Sequence, residues 1–131
     1  MVTQSAIRRS PKVTIGLAVD DLRLYRCLMT ISLRAAGYIP ISVVDGFDAW
    51  LIAEIVEPNV IITDLDMVTW GGVQLIEAIR LSRNIRVCHV PIIVCSATQD
   101  ALSIQEAFDA GATYFLSKPI DISKLCRLIT F

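Results

Sequence analysis

The sequence predicts an α/β fold: a single doubly wound, five-stranded parallel sheet with helices on both faces. Two observations carry that prediction. Short β-branched apolar runs alternate with segments of helical period, at about 25 residues per βα unit. Four of the runs also end in polar residues, namely Asp20-Asp21, Asp64, Ser96 and Lys118. In an open parallel sheet such ends share one edge, which is where these sheets bind ligands.

Lys12 to Val19 reads as the first strand. Leu22 to Ala36 places Tyr25, Leu28, Met29 and Leu33 on one helical face, with Gly37 as the stop. A second strand is expected from Ile41 to Val44, after Pro40. Asp45-Gly46 then leads into a helix from Phe47 to Glu57, closed by Pro58-Asn59. That helix carries Trp50, Leu51, Ile52, Ile55 and Val56 almost all round, so apolar surface is left over for a neighbour or for a contact face. Val60 to Thr63 has the unbroken apolar pattern of a strand buried on both faces. A loop with Trp70-Gly71-Gly72 follows, then a helix with Leu75, Ile76 and Ile79 inward. Asn84 to Val90 reads as a link and Pro91 to Cys95 as the fourth strand. Asp100 is the expected N-cap of a helix that turns Ile104, Ala107 and Phe108 inward before Gly111. Thr113 to Ser117 is the fifth strand, and Ile122, Leu125, Leu128 and Ile129 mark a short final helix. Residues 1–11 read as a disordered lead-in and 12–131 as the domain.

A chain of 131 residues can bury a real core as one domain. It is 54% hydrophobic and 19% charged with a formal net charge of -1, which removes the electrostatic case for direct nucleic-acid binding. No apolar stretch approaches the ~20 residues of a membrane span, and Met1 to Lys12 lacks the apolar run of a secretory signal. Cys27, Cys88, Cys95 and Cys126 are scattered without metal-site spacing, as expected of reduced, mostly buried thiols in a cytoplasmic protein. The lone histidine, His89, is expected at the surface in a loop.

The chemistry lies with the acids. A buried strand that ends in a carboxylate needs a cation, metal or donor, because dehydrating the charge costs several kcal/mol. Asp20, Asp21 and Asp64 brought to one edge repel each other and favour a hard divalent cation such as Mg2+. A metal, the Lys118 ammonium and the Ser96 hydroxyl together suit the oxygens of a transferring phosphoryl group. Asp64 is then the candidate nucleophile, forming an aspartyl phosphate.

The ordered set Asp-Asp, Asp, Ser-Ala, Lys-Pro resembles the receiver domain of two-component response regulators, from about Lys12 to Phe131. That resemblance implies a flavodoxin-like sheet of order 2-1-3-4-5. It also implies that Asp64 is the phosphoacceptor for a sensor histidine kinase or a phosphotransfer protein. Asp21 would bind Mg2+ directly, Asp20 directly or through water, and Asp66 through its backbone carbonyl. Ser96 would supply the hydroxyl that moves to the phosphoryl group, Lys118 its ionic partner, and Phe115 the aromatic switch. Such a domain catalyses its own phosphorylation and dephosphorylation and is not a conventional multiple-turnover enzyme. It acts in the cytoplasm, through an output domain or a homodimer. Here Val68-Thr69-Trp70-Gly71-Gly72 stands where the family commonly has Met-Pro-Gly and then Asp-Gly.

A rival reading is a haloacid-dehalogenase-type phosphatase, since Asp64-Leu65-Asp66-Met67-Val68 fits its Asp-x-Asp-x-Thr/Val motif, with Asp66 as general acid. That family places its second acidic pair after the lysine, where this chain offers only Asp121. A receiver reduced to a protein-interaction module is disfavoured, because no catalytic position is missing.

Overall fold

Central strands with no polar face need cover on both sides, and the sheet is arranged accordingly. In the computed structural model, which describes residues 13–131, β1 (Ile15–Val19), β2 (Ile39–Val43), β3 (Val60–Thr63), β4 (Ile92–Ser96) and β5 (Tyr114–Ser117) are all parallel. Their order is β2-β1-β3-β4-β5. Every residue of β3 and β4 is buried, whereas the edge strands β2 and β5 are partly open. The expected lead-in at 1–11 lies outside the described residues, as does Lys12.

Alternation along each strand feeds two cores. Leu17, Val19, Ile61, Ile92 and Val94 point to one face, where they meet α2 (Gly46–Val56), α3 (Gly72–Arg80), α4 (Ile85–Cys88) and α5 (Ala101–Ala110). Ala18, Val60, Ile62, Ile93 and Cys95 point to the other, under α1 (Arg23–Ala35) and α6 (Ile122–Leu128). Asp45, Asp100 and Asp121 cap α2, α5 and α6, each accepting from a backbone N–H three residues on. No helix of the described residues is long and apolar enough to cross a membrane.

Several local expectations are corrected. Pro40 lies inside β2 instead of before it. This is possible because β2 is an edge strand: Ile39 N donates to Thr14 O, so the next nitrogen, that of Pro40, faces away from β1. The link from Asn84 to Val90 contains α4, one turn capped by the Asn84 side chain, so the described residues form six helices and not five. Phe108 was expected inward and is 41% exposed, because Ala107 fills the buried position on α5. The cysteines are not mostly buried: only Cys95 is, and Cys27 is exposed. On α2, Ala49 and Ala53 pack against the sheet while Phe47, Leu51 and Ile55 stay exposed.

Arg80, at the end of α3, ties three segments together. Its guanidinium donates to Gly111 O at 3.0 and 2.8 Å, to Cys88 O at 3.0 Å and to Val90 O at 2.6 Å. Gly111 has φ +120, and a Cβ there would come within 2.8 Å of the Arg80 side chain. Arg80→Ala leaves those carbonyls without their charged donor and is expected to cost about 2–4 kcal/mol. Urea denaturation measures this, and a loss under about 1 kcal/mol would show that water replaces the arginine.

Candidate functional site

The register of the sheet brings the acids together. Val19 of β1 lies beside Thr63 of β3, so Asp20 and Asp64 leave the sheet as neighbours. Asp64 N donates to Val19 O at 2.9 Å and Asp20 N to Val43 O at 3.1 Å, which fixes both backbones. Ser96 lies beside Ser117, and Lys118 N donates to Ser96 O at 2.8 Å. From there the Lys118 ammonium reaches back across the sheet end. Its Nζ is 2.8 Å from Asp20 Oδ2, a hydrogen bond, and 3.5 Å from Asp64 Oδ1. All three side chains are nearly closed to solvent. The Tyr25 ring lies 3.8 Å below Nζ, adding a cation–π contact.

The three acids do not play equal parts. Asp20 is fully buried and has both oxygens engaged, since Leu22 N donates to Oδ1 at 2.9 Å and Lys118 takes Oδ2. Asp21 is exposed at the rim. Asp64 is 5% exposed and has the Lys118 ammonium as its side-chain partner. One carboxylate oxygen from each of Asp20, Asp21 and Asp64 lies within 4.8 Å of the others. Three carboxylates against one ammonium leave two negative charges in a small volume, and a hard divalent cation with oxygen ligands matches that deficit.

Electrostatics follow from burial. Loss of water is the main effect that raises the Asp64 pKa. Lys118 opposes it, Asp20 reinforces it, and hydrogen bonds from Leu65 and Lys118 oppose it. Burial pulls Lys118 downward, but its hydrogen bond to Asp20 and the charges of Asp64 and Asp20 outweigh this, and its pKa ends above the ordinary value. Below the acids, burial pushes the Cys95 thiol up to about 12, so it is no nucleophile at neutral pH.

The remaining predicted residues surround this centre. Ser96 is fully buried, and its Oγ accepts from Thr98 N at 3.2 Å. Phe115 is half-buried against the core, with its ring 6.5 Å from that of Phe108. Asp66 is exposed and lines a groove of about 280 Å³ with Gly71, Gln74, Ser103 and Glu106. His89 is exposed and remote from the acids in the fold, in the turn after α4. Sequence reasoning missed three contributors. Tyr25 was read as a core position of α1, Thr63 donates to Asp64 O at 2.8 Å, and Gly72 is held so close to Asp64 O that a Cβ would collide with it. The glycine pair after Trp70 was the visible signal for the last of these.

The folded chain holds the Asp64 proton more tightly than the unfolded chain does. Asp64 therefore costs stability progressively as pH rises from the ordinary value of 3.8 through its raised folded-state value. Without divalent metal, Asp64→Asn is expected to be more stable than wild type at pH 7, with the gap closing below pH 3.8. Thermal melts across that range check it, and a variant less stable at pH 7 contradicts it.

Comparison with known proteins agrees with this geometry. The chain matches the response regulator receiver domain over residues 17–130. The DNA-binding dual master transcriptional regulator RpaA of Synechocystis sp. is 29% identical over 109 residues, 83% of this chain and 44% of that protein. The chain thus spans less than half the length of that curated relative. The chemotaxis protein CheY4 of Vibrio cholerae superposes with a TM-score of 0.81 at 28% identity, over 90% of this chain and 97% of that one. The receiver domain of sensor histidine kinase PA1611 from Pseudomonas aeruginosa has a magnesium ion coordinated in its active site cleft. It gives 0.79 at 27% identity, over 90% of this chain and 95% of that one. These similarities lend no support to the phosphatase alternative. By its family match, its sheet order and the acids at its carboxyl edge, the protein belongs to the receiver domains of two-component response regulators, which are signalling domains and not conventional enzymes.

Proposed function

We propose that Asp64 is the residue phosphorylated in this receiver domain, by a histidine kinase or phosphotransfer protein of the cytoplasm, with Mg2+ held at the same edge. The observation that carries this reading is the division of labour among the acids. Asp20 already carries a hydrogen bond on each oxygen, Asp21 is at the rim, and Asp64 alone combines a buried strand-end position with a carboxylate whose side-chain partner is the shared Lys118. Asp21, Asp64, Asp20 and the backbone carbonyl of Asp66 would hold the ion, which when bound neutralises charge on the phosphoryl oxygens.

In the forward step an Asp64 oxygen attacks phosphorus. The bond to the phosphohistidine nitrogen or the acyl phosphate oxygen breaks, and the leaving group keeps its electron pair. Lys118, already 3.5 Å from Asp64, meets the charge of the incoming oxygens without having to cross the site. In the hydrolytic step water attacks phosphorus, the bond from phosphorus to the Asp64 oxygen breaks, the water's protons leave with inorganic phosphate or to solvent, and the Asp64 carboxylate is restored. The domain thereby catalyses its own phosphorylation and dephosphorylation. New negative charge at Asp64 draws the Ser96 hydroxyl from Thr98 N, and Phe115 fills the space vacated. The face formed by α5, β5 and α6 then reads out the change to an output domain or partner.

Acetyl phosphate with Mg2+ is expected to add one phosphate to the wild type, seen by intact mass spectrometry, and none to Asp64→Asn or after chelation. Asp66→Asn should still take up phosphate while binding Mg2+ up to about tenfold more weakly, because a nearby exposed charge is worth roughly 1 kcal/mol. An adduct that persists in Asp64→Asn contradicts the proposal. Steady phosphatase turnover by wild type that falls by two or more orders of magnitude in Asp66→Asn would replace it with the enzyme reading.

A further inference from the structure

Large apolar side chains are exposed on three elements that meet at the free edge of the sheet. They are Leu24 and Ile31 on α1, Ile39 on β2, and Leu51 and Ile55 on α2, with Ile55 79% exposed. α1 and α2 flank β2 from opposite faces of the sheet. Between α1 and β2 runs a groove of about 420 Å³, lined by Arg23, Arg26, Cys27, Ile31, Arg34 and Ser42. None of the three arginines is in an ion pair among the described residues. The groove is therefore basic, partly apolar and turned toward the edge.

The α2 side is its complement. Phe47 and Trp50 pack against Trp70 with ring centroids 5.3 and 5.7 Å away, which fixes the flank of α2 that faces the loop. At 3.6 residues per turn, Asp48 and Ile55 project from the opposite flank, with Leu51 between Phe47 and Ile55. Asp48 is likewise in no ion pair among the described residues, and α2 contains no basic residue.

Heights match as well as charges. Val19 and Val43 are in register, α1 starts at Arg23 and α2 at Gly46, so the two helices begin nearly level. With 1.5 Å rise per residue, Arg23 and Arg26 lie level with Asp48, and Ile31 with Ile55, to within about 5 Å. The strand itself cannot extend the sheet regularly. Pro40 sits where an outward N–H is needed, so an approaching copy is held by the helices and not by a new strand.

We propose that the β2 edge is the interface between two copies of this chain, related by a two-fold axis parallel to β2, with α1 of each copy alongside α2 of the other. The two-fold makes the contact close on itself. The basic, apolar flank of α1 meets the acidic, apolar flank of α2 twice, and no edge is left to propagate a filament. A standard interface takes about 800 Å² from each partner, roughly a tenth of this chain's 7471 Å² surface, which the two helix flanks and the strand between them can supply.

Sedimentation equilibrium over a concentration series tests the interface. The wild type is expected to move from 14.5 kDa to twice that mass as concentration rises. Ile55→Glu, at a position too exposed to disturb folding, should remain at 14.5 kDa with an unchanged circular dichroism spectrum. Arg23→Glu and Asp48→Arg should each weaken pairing at least about tenfold. Their equimolar mixture should recover it, because both contacts of the mixed pair then join opposite charges. A wild type that stays monomeric to about a millimolar, a dimer that survives Ile55→Glu, a mixture that fails to recover, or a mass that grows past two copies would each overturn the proposal. Phosphate uptake by monomeric Ile55→Glu separates this result from the reading of Asp64, since uptake needs no second copy.

Discussion

The hydrogen bond from Lys118 Nζ to Asp20 Oδ2, 2.8 Å long and closed to water, is the contact around which the carboxyl edge of the sheet is built. A buried ammonium and a buried carboxylate each lose several kcal/mol of hydration, which only close pairing and further donors offset. The chain supplies both. Leu22 N takes the second oxygen of Asp20, Arg26 Nη1 donates to the Asp20 carbonyl at 2.8 Å, and the Tyr25 ring covers the ammonium. Asp20 and Lys118 come from opposite ends of the sequence, so the pair also ties the start of α1 to the end of β5.

What that pair leaves over is the functional part. Lys118 is shared unequally, closer to Asp20 than to Asp64, so Asp64 keeps a raised pKa caused first by its burial. On the proposed role of Asp64, a cation bound beside it, or charge added on it, would change which carboxylate the lysine serves. The loop after β3 is placed to feel such a change. Gly72 packs against the Asp64 carbonyl, Gly46 N donates to Trp70 O at 3.3 Å, and Trp70 stacks against α2. A shift at Asp64 therefore has a packed route into α2, beside the one we propose through Ser96 and Phe115.

Much of this was legible because the strands of a parallel sheet announce themselves. Unbroken β-branched runs that stop at polar residues give both the strand ends and the site, and Asp20, Asp21, Asp64 and Lys118 followed from that pattern alone. The separate fates of Asp20 and Asp21 were not legible. Which of two adjacent acids points inward depends on the turn into α1, and the sequence does not encode that turn as a pattern. Tyr25 was hidden for a related reason: a ring at a core-facing helical position looks like packing until a lysine 93 residues later is seen to rest on it. Pro40 misled because its cost depends on whether the strand is at an edge, and Phe108 because its neighbour Ala107 takes the buried position on α5.

The role we propose for this edge is to put a phosphoryl group on Asp64, under Lys118. A crystal structure with Mg2+ and beryllofluoride, a phosphoryl mimic, addresses that claim directly. The beryllium is predicted to be bonded to an Asp64 oxygen, with its fluorines contacting Lys118 Nζ and Ser96 Oγ and the metal on Asp21 and Asp64. Beryllofluoride carried on Asp20, Asp21 or Asp66, or a Lys118 that stays wholly on Asp20, would contradict it.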